Sequence, residues 1–225
     1  FAKKNPKYDY GIHLTLTCEW EKHRFGPVLP LSEVPSLVDK NGHFYKKKEH
    51  LQKHSLPSEI EKELKAQIDL AFQYGLQPSH IDSHMYSVAC SPAIFKIYKE
   101  LEIQYQLPVL ISRNLFKNTG YDLRNNINQK DLTLEQIHMG TFKEYETGKL
   151  GEYYENVLQK LEKGVNLLLI HPAFDDDEMK SITVNHSNFG SEWREIDYNF
   201  FTSKRCKTLL QENSIELVDW RDLIK

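Results

Sequence analysis

Val165-Asn-Leu-Leu-Leu-Ile170, followed at once by His171-Pro172, is the stretch on which the architecture turns. An almost wholly apolar run this short matches a strand buried on both faces, the condition of parallel sheets covered by helices. Pro172 cannot donate to a ladder and stops it, which leaves the imidazole of His171 at the sheet edge. Just upstream, Tyr154, Val157, Leu158 and Leu161 recur at helical spacing before Gly164, a C-terminal stop signal. Helix then strand, with parallel pairing, is the unit this stretch predicts.

The same alternation recurs on either side. Ile60, Leu64, Ile68 and Phe72 repeat every four residues between Pro57 and Gly75, and Ser58 with Glu61 reads as a capping box. A strand is predicted over 79–83. Ser91-Pro92 then opens a helix to about Ile103, with Ile94, Ile97, Tyr98 and Leu101 on one face, and Pro108-Val-Leu-Ile-Ser112 makes the next strand. Near the N-terminus, Ile12 to Thr17 alternate apolar and polar, placing His13, Thr15 and Thr17 on one face. A last helix is expected over 203–211, with a short strand at Ile215-Glu-Leu-Val218. Residues 20–50, with Pro27, Pro30, Pro35 and Gly42, read as a long surface excursion able to cover a substrate. Residues 114–147 read as irregular, or as a short helical insertion near Leu134. The pattern predicts an α/β fold, an α/β barrel or an open parallel sheet, in one domain spanning 1–225.

Composition narrows the function. A net charge of −3 and short basic clusters interrupted by acids give no field for a phosphate backbone, so nucleic acid is not an expected partner. Cys18, Cys90 and Cys206 are widely spaced and form no C-x-x-C, which fits a reducing cytosol better than a disulfide framework or a zinc ribbon. No apolar run approaches the ~20 residues that span a bilayer, so no membrane is expected. Phe1-Ala-Lys-Lys-Asn-Pro6 reads as the end of a helix, so we expect the chain to start inside a longer polypeptide.

Ligands and reacting groups gather at the carboxyl ends of strands in parallel α/β architectures. Three segments put histidine there: Gly11-Ile-His13, His80-Ile-Asp82-Ser-His84 and Ile170-His171. Neutral imidazole is the commonest nitrogen ligand of catalytic divalent ions, which makes His13 and His84 candidate metal ligands. The blander alternative for His13 is a hydrogen-bonded core residue; its companions Thr15 and Thr17 weigh against that. An extended segment at ~3.3 Å per residue separates His80 from His84 by ~13 Å, so the two cannot share an ion unless the chain turns. His84 at the strand end is preferred, with His80 and Asp82 as groups supporting it from deeper in the sheet, or as satisfied buried residues. His171 is a candidate general acid or third ligand, against the alternative of a turn residue that merely ends the strand. Arg194 is a candidate substrate clamp, against a surface ion pair. Asp175-Asp-Asp-Glu178 is read as solvated surface, and His23, His43, His50, His54, His138 and His186 are assigned no role.

Together, Gly11-Ile-His13-Leu-Thr-Leu-Thr17, Ser79-His80-Ile-Asp-Ser-His84, His171-Pro-Ala-Phe174, Trp193-Arg-Glu-Ile-Asp197 and Trp220-Arg-Asp-Leu223 resemble the YdjC-like carbohydrate deacetylases, to which chitooligosaccharide deacetylase belongs. The resemblance covers nearly the whole chain in the expected order. It implies a distorted TIM-like (βα) barrel that removes acetyl groups from N-acetylglucosamine units, with a divalent ion held by an aspartate and two histidines. His13 and His84 match those histidine positions. Mg2+ is the ion the resemblance implies, and Zn2+ the one that two imidazoles favour. The family's aspartate lies in an Asp-Asp-Phe-Gly segment at the end of a first strand, before the equivalent of Phe1; this chain lacks that segment. Met85-Tyr86 also stand where relatives carry further histidines, so specificity is expected to differ from that for chitobiose-type sugars. The expected partner is a small acetylated sugar or oligosaccharide, and a homodimer is a further expectation. Two competing readings are a sugar-binding barrel without catalysis and a metal-dependent phosphoesterase, which would call for more ligands and nearby basic residues.

Overall fold

Alternation in the first apolar-polar segment yields β1 (Gly11–Leu14), and the histidine-bearing segment yields β2 (His80–Ser83); the two pair in parallel, with Gly11 opposite His80 and His13 opposite Asp82. The structure is a computed structural model that describes residues 1–112, 126–127, 131–134 and 136–223. The chain forms two compact units: Phe1–Glu19, Arg24–Thr133 and Val218–Lys225 make the first, and Trp20–His23 with Leu134–Leu217 make the second.

In the first unit, α1 (Lys48–His54) and α2 (Pro57–Gln73) separate β1 from β2. Ile60, Leu64 and Ile68 of α2 are fully buried, the face that four-residue spacing predicted. Pro57 occupies the first helical position and Leu56 the cap, so Ser58 falls inside the first turn and the predicted capping box does not form. Gly75, at φ +77°, closes the helix in the left-handed conformation that glycine adopts without a Cβ clash. The long excursion after β1 carries a single turn of 3-10 helix at Pro35–Leu37, and α2 holds it down. Glu63 accepts from the Val28 N–H at 2.9 Å and the Leu29 N–H at 3.1 Å, and Glu59 accepts from the Ser36 N–H at 2.7 Å.

Helix α3 (Pro92–Tyr105) begins where Ser91 Oγ accepts from the Ile94 N–H at 3.2 Å. The buried Tyr98 hydroxyl donates to the Ile81 carbonyl at 2.9 Å, fixing α3 against β2. The predicted 108–112 strand shrinks to β3 (Ile111–Ser112), preceded by a parallel bridge between Val109 and Ile81.

Where a helical insertion was expected near Leu134 there are two short strands, β4 (Thr133–Leu134) and β5 (Gln136–Met139), then α4 (Phe142–Glu146); the other residues of that region up to 130, apart from 126–127, lie outside the described set. In the second unit, α5 (Leu150–Gln159) precedes β6 (Asn166–Leu169), which pairs in parallel with β5. Burial on both faces was expected of β6, but every residue is only half-buried, and among the described residues the strand has one ladder neighbour, β5. Helices α6 (Asp177–Ile182), α7 (Ser191–Phe201) and α8 (Lys204–Glu212) follow. Leu150, Tyr154 and Trp193 form one buried cluster, and Leu158, Cys206 and Leu209 another. Ile215–Val218 is not a strand: Leu217 is 78% exposed and the segment has no ladder partner among the described residues. The chain ends in α9 (Trp220–Leu223), back in the first unit.

The molecule is thus mixed α/β with short parallel strands. Among the described residues the ladders join strands only as β1–β2, β3–β4 and β5–β6, so they close no barrel. No described helix is long and apolar enough to cross a membrane.

Candidate functional site

Parallel register places His13 beside Asp82 across the β1–β2 ladder, and their side chains meet: Asp82 Oδ1 lies 2.6 Å from His13 Nδ1. His84 follows β2 directly. Met85 and Tyr86 then take the left-handed conformation at φ +53° and +51°, a turn that non-glycine residues adopt at a cost of ~1–3 kcal/mol each and that clusters at functional sites. The His84 ring is brought to 5.4 Å from that of His13, edge to face. Its Nε2 lies 2.8 Å from Glu19 Oε2. Two imidazoles therefore converge, each with one nitrogen engaged by its own carboxylate. His84 and Glu19 are largely buried, whereas the His13 side chain is 54% exposed and opens the cluster to solvent. The Tyr86 hydroxyl beside them is pushed up to about 12, by burial first and then by the Asp82 charge.

His80 stands apart from this cluster. Its ring stacks on Trp220 at 4.3 Å, its Nδ1 lies 2.9 Å from Ser79 Oγ, and burial holds its pKa below the ordinary histidine value against the opposing charges of Asp82 and Asp9. Thr17 does not share an open face with His13; it is buried.

In the second unit, His171 follows β6, half-buried, with its ring 4.9 Å from that of Phe189. Its backbone N–H donates to Asp197 Oδ2 at 2.8 Å. Arg194 donates from Nε to the Phe189 carbonyl at 2.8 Å, and its guanidinium lies 5.7 Å from the Trp20 ring centroid, a cation–π contact. Asp175 meets Lys180 at 3.3 Å, and Asp176 caps α6 by accepting from the Met179 N–H.

The family model described as YdjC-like protein matches residues 1–212. The chain belongs to the YdjC-like protein family. Among similar YdjC-like relatives, a carbohydrate deacetylase of Thermoanaerobacter pseudethanolicus is 28% identical over 96% of this chain and 78% of its own length. A carbohydrate deacetylase of Enterococcus faecalis is 30% identical over 97% of this chain and 78% of its own. A crystal structure from Enterococcus faecalis, of a protein named for cellobiose-phosphate cleavage, superposes with a TM-score of 0.74 at 26% identity, over 98% of this chain and 79% of that one.

In this YdjC-like chain the donor chemistry suits a divalent ion: ligating histidines characteristically pair their second ring nitrogen with a carboxylate, as His13 does with Asp82 and His84 with Glu19. Among the described residues, no group of three His, Cys, Asp or Glu residues is arranged to hold a metal. Sequence reasoning passed over Glu19 and Asp197. Glu19 lies beyond the end of β1 (Gly11–Leu14), where no strand pattern in the sequence points its side chain towards the histidines.

Proposed function

We propose that this YdjC-like chain is a hydrolase that removes acetyl groups from N-acetylated sugars of the chito-oligosaccharide type. The observation that carries this reading is the convergence of the His13 and His84 rings at the carboxyl end of the β1–β2 pair, each braced by a carboxylate. Relatives named carbohydrate deacetylase support an acetylated sugar as the substrate, and the chito-oligosaccharide type is part of the proposal.

On this reading His13 and His84 hold a divalent ion, Mg2+ or Zn2+, as two members of its ligand set. When bound, such an ion polarises a carbonyl and lowers the pKa of coordinated water. Asp82 and Glu19 fix the ring orientations and tautomers of the two ligands by engaging one nitrogen of each. His171 donates a proton to the departing amine as the C–N bond of the acetamide breaks, so that water and amide become acetate and a free amino sugar. Arg194 binds the sugar.

Acetate release from acetylated chito-oligosaccharide, by protein stripped with chelator and then refilled with Mg2+ or Zn2+, tests the reading. Activity restored by metal, lost in His84→Ala together with metal content, and reduced roughly 100-fold in His171→Ala with metal content intact is the expected result. Full metal content and full activity in His84→Ala would overturn it. Elemental analysis of protein purified without added metal distinguishes the two ions.

A further inference from the structure

The segment after β6 lies along helix α7, with alternate backbone N–H groups bonded to it. His171 donates to Asp197 Oδ2 at 2.8 Å, Ala173 to the Arg194 carbonyl at 3.1 Å and Asp175 to Glu195 Oε1 at 3.4 Å. Of these acceptors Asp197 is the buried one, with no exposed surface. Its other oxygen, Oδ1, accepts from the Tyr154 hydroxyl, and Tyr154 is itself fully buried in the cluster with Leu150 and Trp193. A carboxylate removed from water is costly unless its oxygens are satisfied, so one this deep is an expensive way to hold a helix that the apolar cluster already holds.

We propose that Asp197 is a positioning residue for His171: its carboxylate fixes the backbone at the end of β6 so that the imidazole is presented in one orientation. This rests on His171 being the proton donor. The neighbours are consistent with that task. The His171 ring lies against Phe189, whose ring lies 4.5 Å from that of Trp193, and Arg194 Nε holds the Phe189 carbonyl. Helix α7 thus supplies the acceptor for the His171 backbone and, through Trp193, packs behind Phe189, the residue just before the helix whose ring lies against the imidazole. Burial pushes the Asp197 carboxyl up, and the Tyr154 hydroxyl, the His171 N–H and the Arg194 charge oppose it, as expected of a carboxylate that is satisfied by donors and not by solvent.

The test is a set of variants assayed for acetate release, with kcat and KM separated. Asp197→Ala should lower kcat roughly 10- to 100-fold with KM changed less than about threefold, because a misaimed acid slows chemistry and leaves binding alone. Asp197→Asn, which keeps one acceptor for the His171 N–H, should recover kcat to within about fivefold of the parent. In a His171→Ala background, Asp197→Ala should cost nothing further. Parent-like kcat in Asp197→Ala, a loss in Asp197→Asn equal to that in Asp197→Ala, or a full additional loss in the His171→Ala background would each overturn the proposal. If Asp197→Ala does not fold, Asp197→Ser, too short to reach the N–H, takes its place in the same comparisons. Failure of the underlying reading looks different: His171→Ala itself would then turn over at the parent rate.

Discussion

His13 and Asp82 face each other across a parallel ladder, so the 2.6 Å contact between Nδ1 and Oδ1 is dictated by strand register more than by side-chain reach. On the proposed reading, Nδ1 being engaged by the carboxylate leaves Nε2 to coordinate, with Asp82 fixing which tautomer is presented. Asp82→Asn keeps the shape of the side chain and removes its charge. It should weaken metal retention by roughly 10- to 100-fold, the usual worth of a carboxylate behind a ligating histidine. Titration of the chelator-stripped protein with Zn2+ measures this, and an unchanged affinity would show that the pair only packs the strand edge. Glu19→Gln should behave in the same way through His84. Neither partner was equally legible beforehand. Asp82 lies in β2, directly opposite His13 in the ladder and two residues before His84, whereas Glu19 sits beyond the end of β1, where strand parity no longer dictates side-chain direction.

Helix α2 shows which elements the residue pattern reveals. Its apolar face repeats every four residues because Ile60, Leu64 and Ile68 all enter one core, and the same reason made α3 legible from Ile94, Ile97, Tyr98 and Leu101. The strands were less legible. Val165–Ile170 has the composition of a fully covered strand, yet β6 stays half-buried, while Ile215–Val218 has β-forming residues and no ladder partner among the described residues. A strand needs a neighbour that its own sequence does not encode. The polar side of α2 carries a signal that hydrophobic periodicity misses: Glu63, fully buried, accepts from the N–H groups of Val28 and Leu29 and from Gln67 Nε2 at 2.8 Å, joining the long excursion to the helix. Glu63→Ala leaves those donors without their carboxylate acceptor and should destabilise the protein by ~2–4 kcal/mol, more than a helix-surface substitution would. Chemical denaturation checks the value, and a change below ~0.5 kcal/mol would mean that water replaces the carboxylate there.

At the scale of the whole molecule, the first unit is completed by the end of the chain. Trp220 of α9 stacks on His80 at 4.3 Å and 11°, its backbone N–H donates to Asp9 Oδ2 at 2.7 Å, and Arg221 reaches the carbonyls of Tyr8 and Gln77. The backbone at Gly11 also comes so close that a Cβ there would lie 2.2 Å from His80 Nε2, so the imidazole packs against both the glycine and the indole. Burial holds the His80 pKa below its ordinary value, with the Asp82 and Asp9 carboxylates opposing the shift. A histidine whose folded pKa lies below the unfolded value of about 6.5 takes up its proton more readily in the unfolded chain. Its contribution to stability is therefore complete above that pH and is lost as pH falls through it towards the folded pKa. His80→Phe keeps an aromatic ring against Gly11 and Trp220 and removes the titration. The drop in melting temperature between about pH 7.5 and pH 5 should accordingly be smaller in His80→Phe than in the parent. Equal drops in the two proteins would place the acid sensitivity in other groups and leave the His80–Trp220 stack as packing alone. Trp220→Ala should also narrow the drop, since removing the stacked indole lets water reach the imidazole and returns its pKa towards the unfolded value.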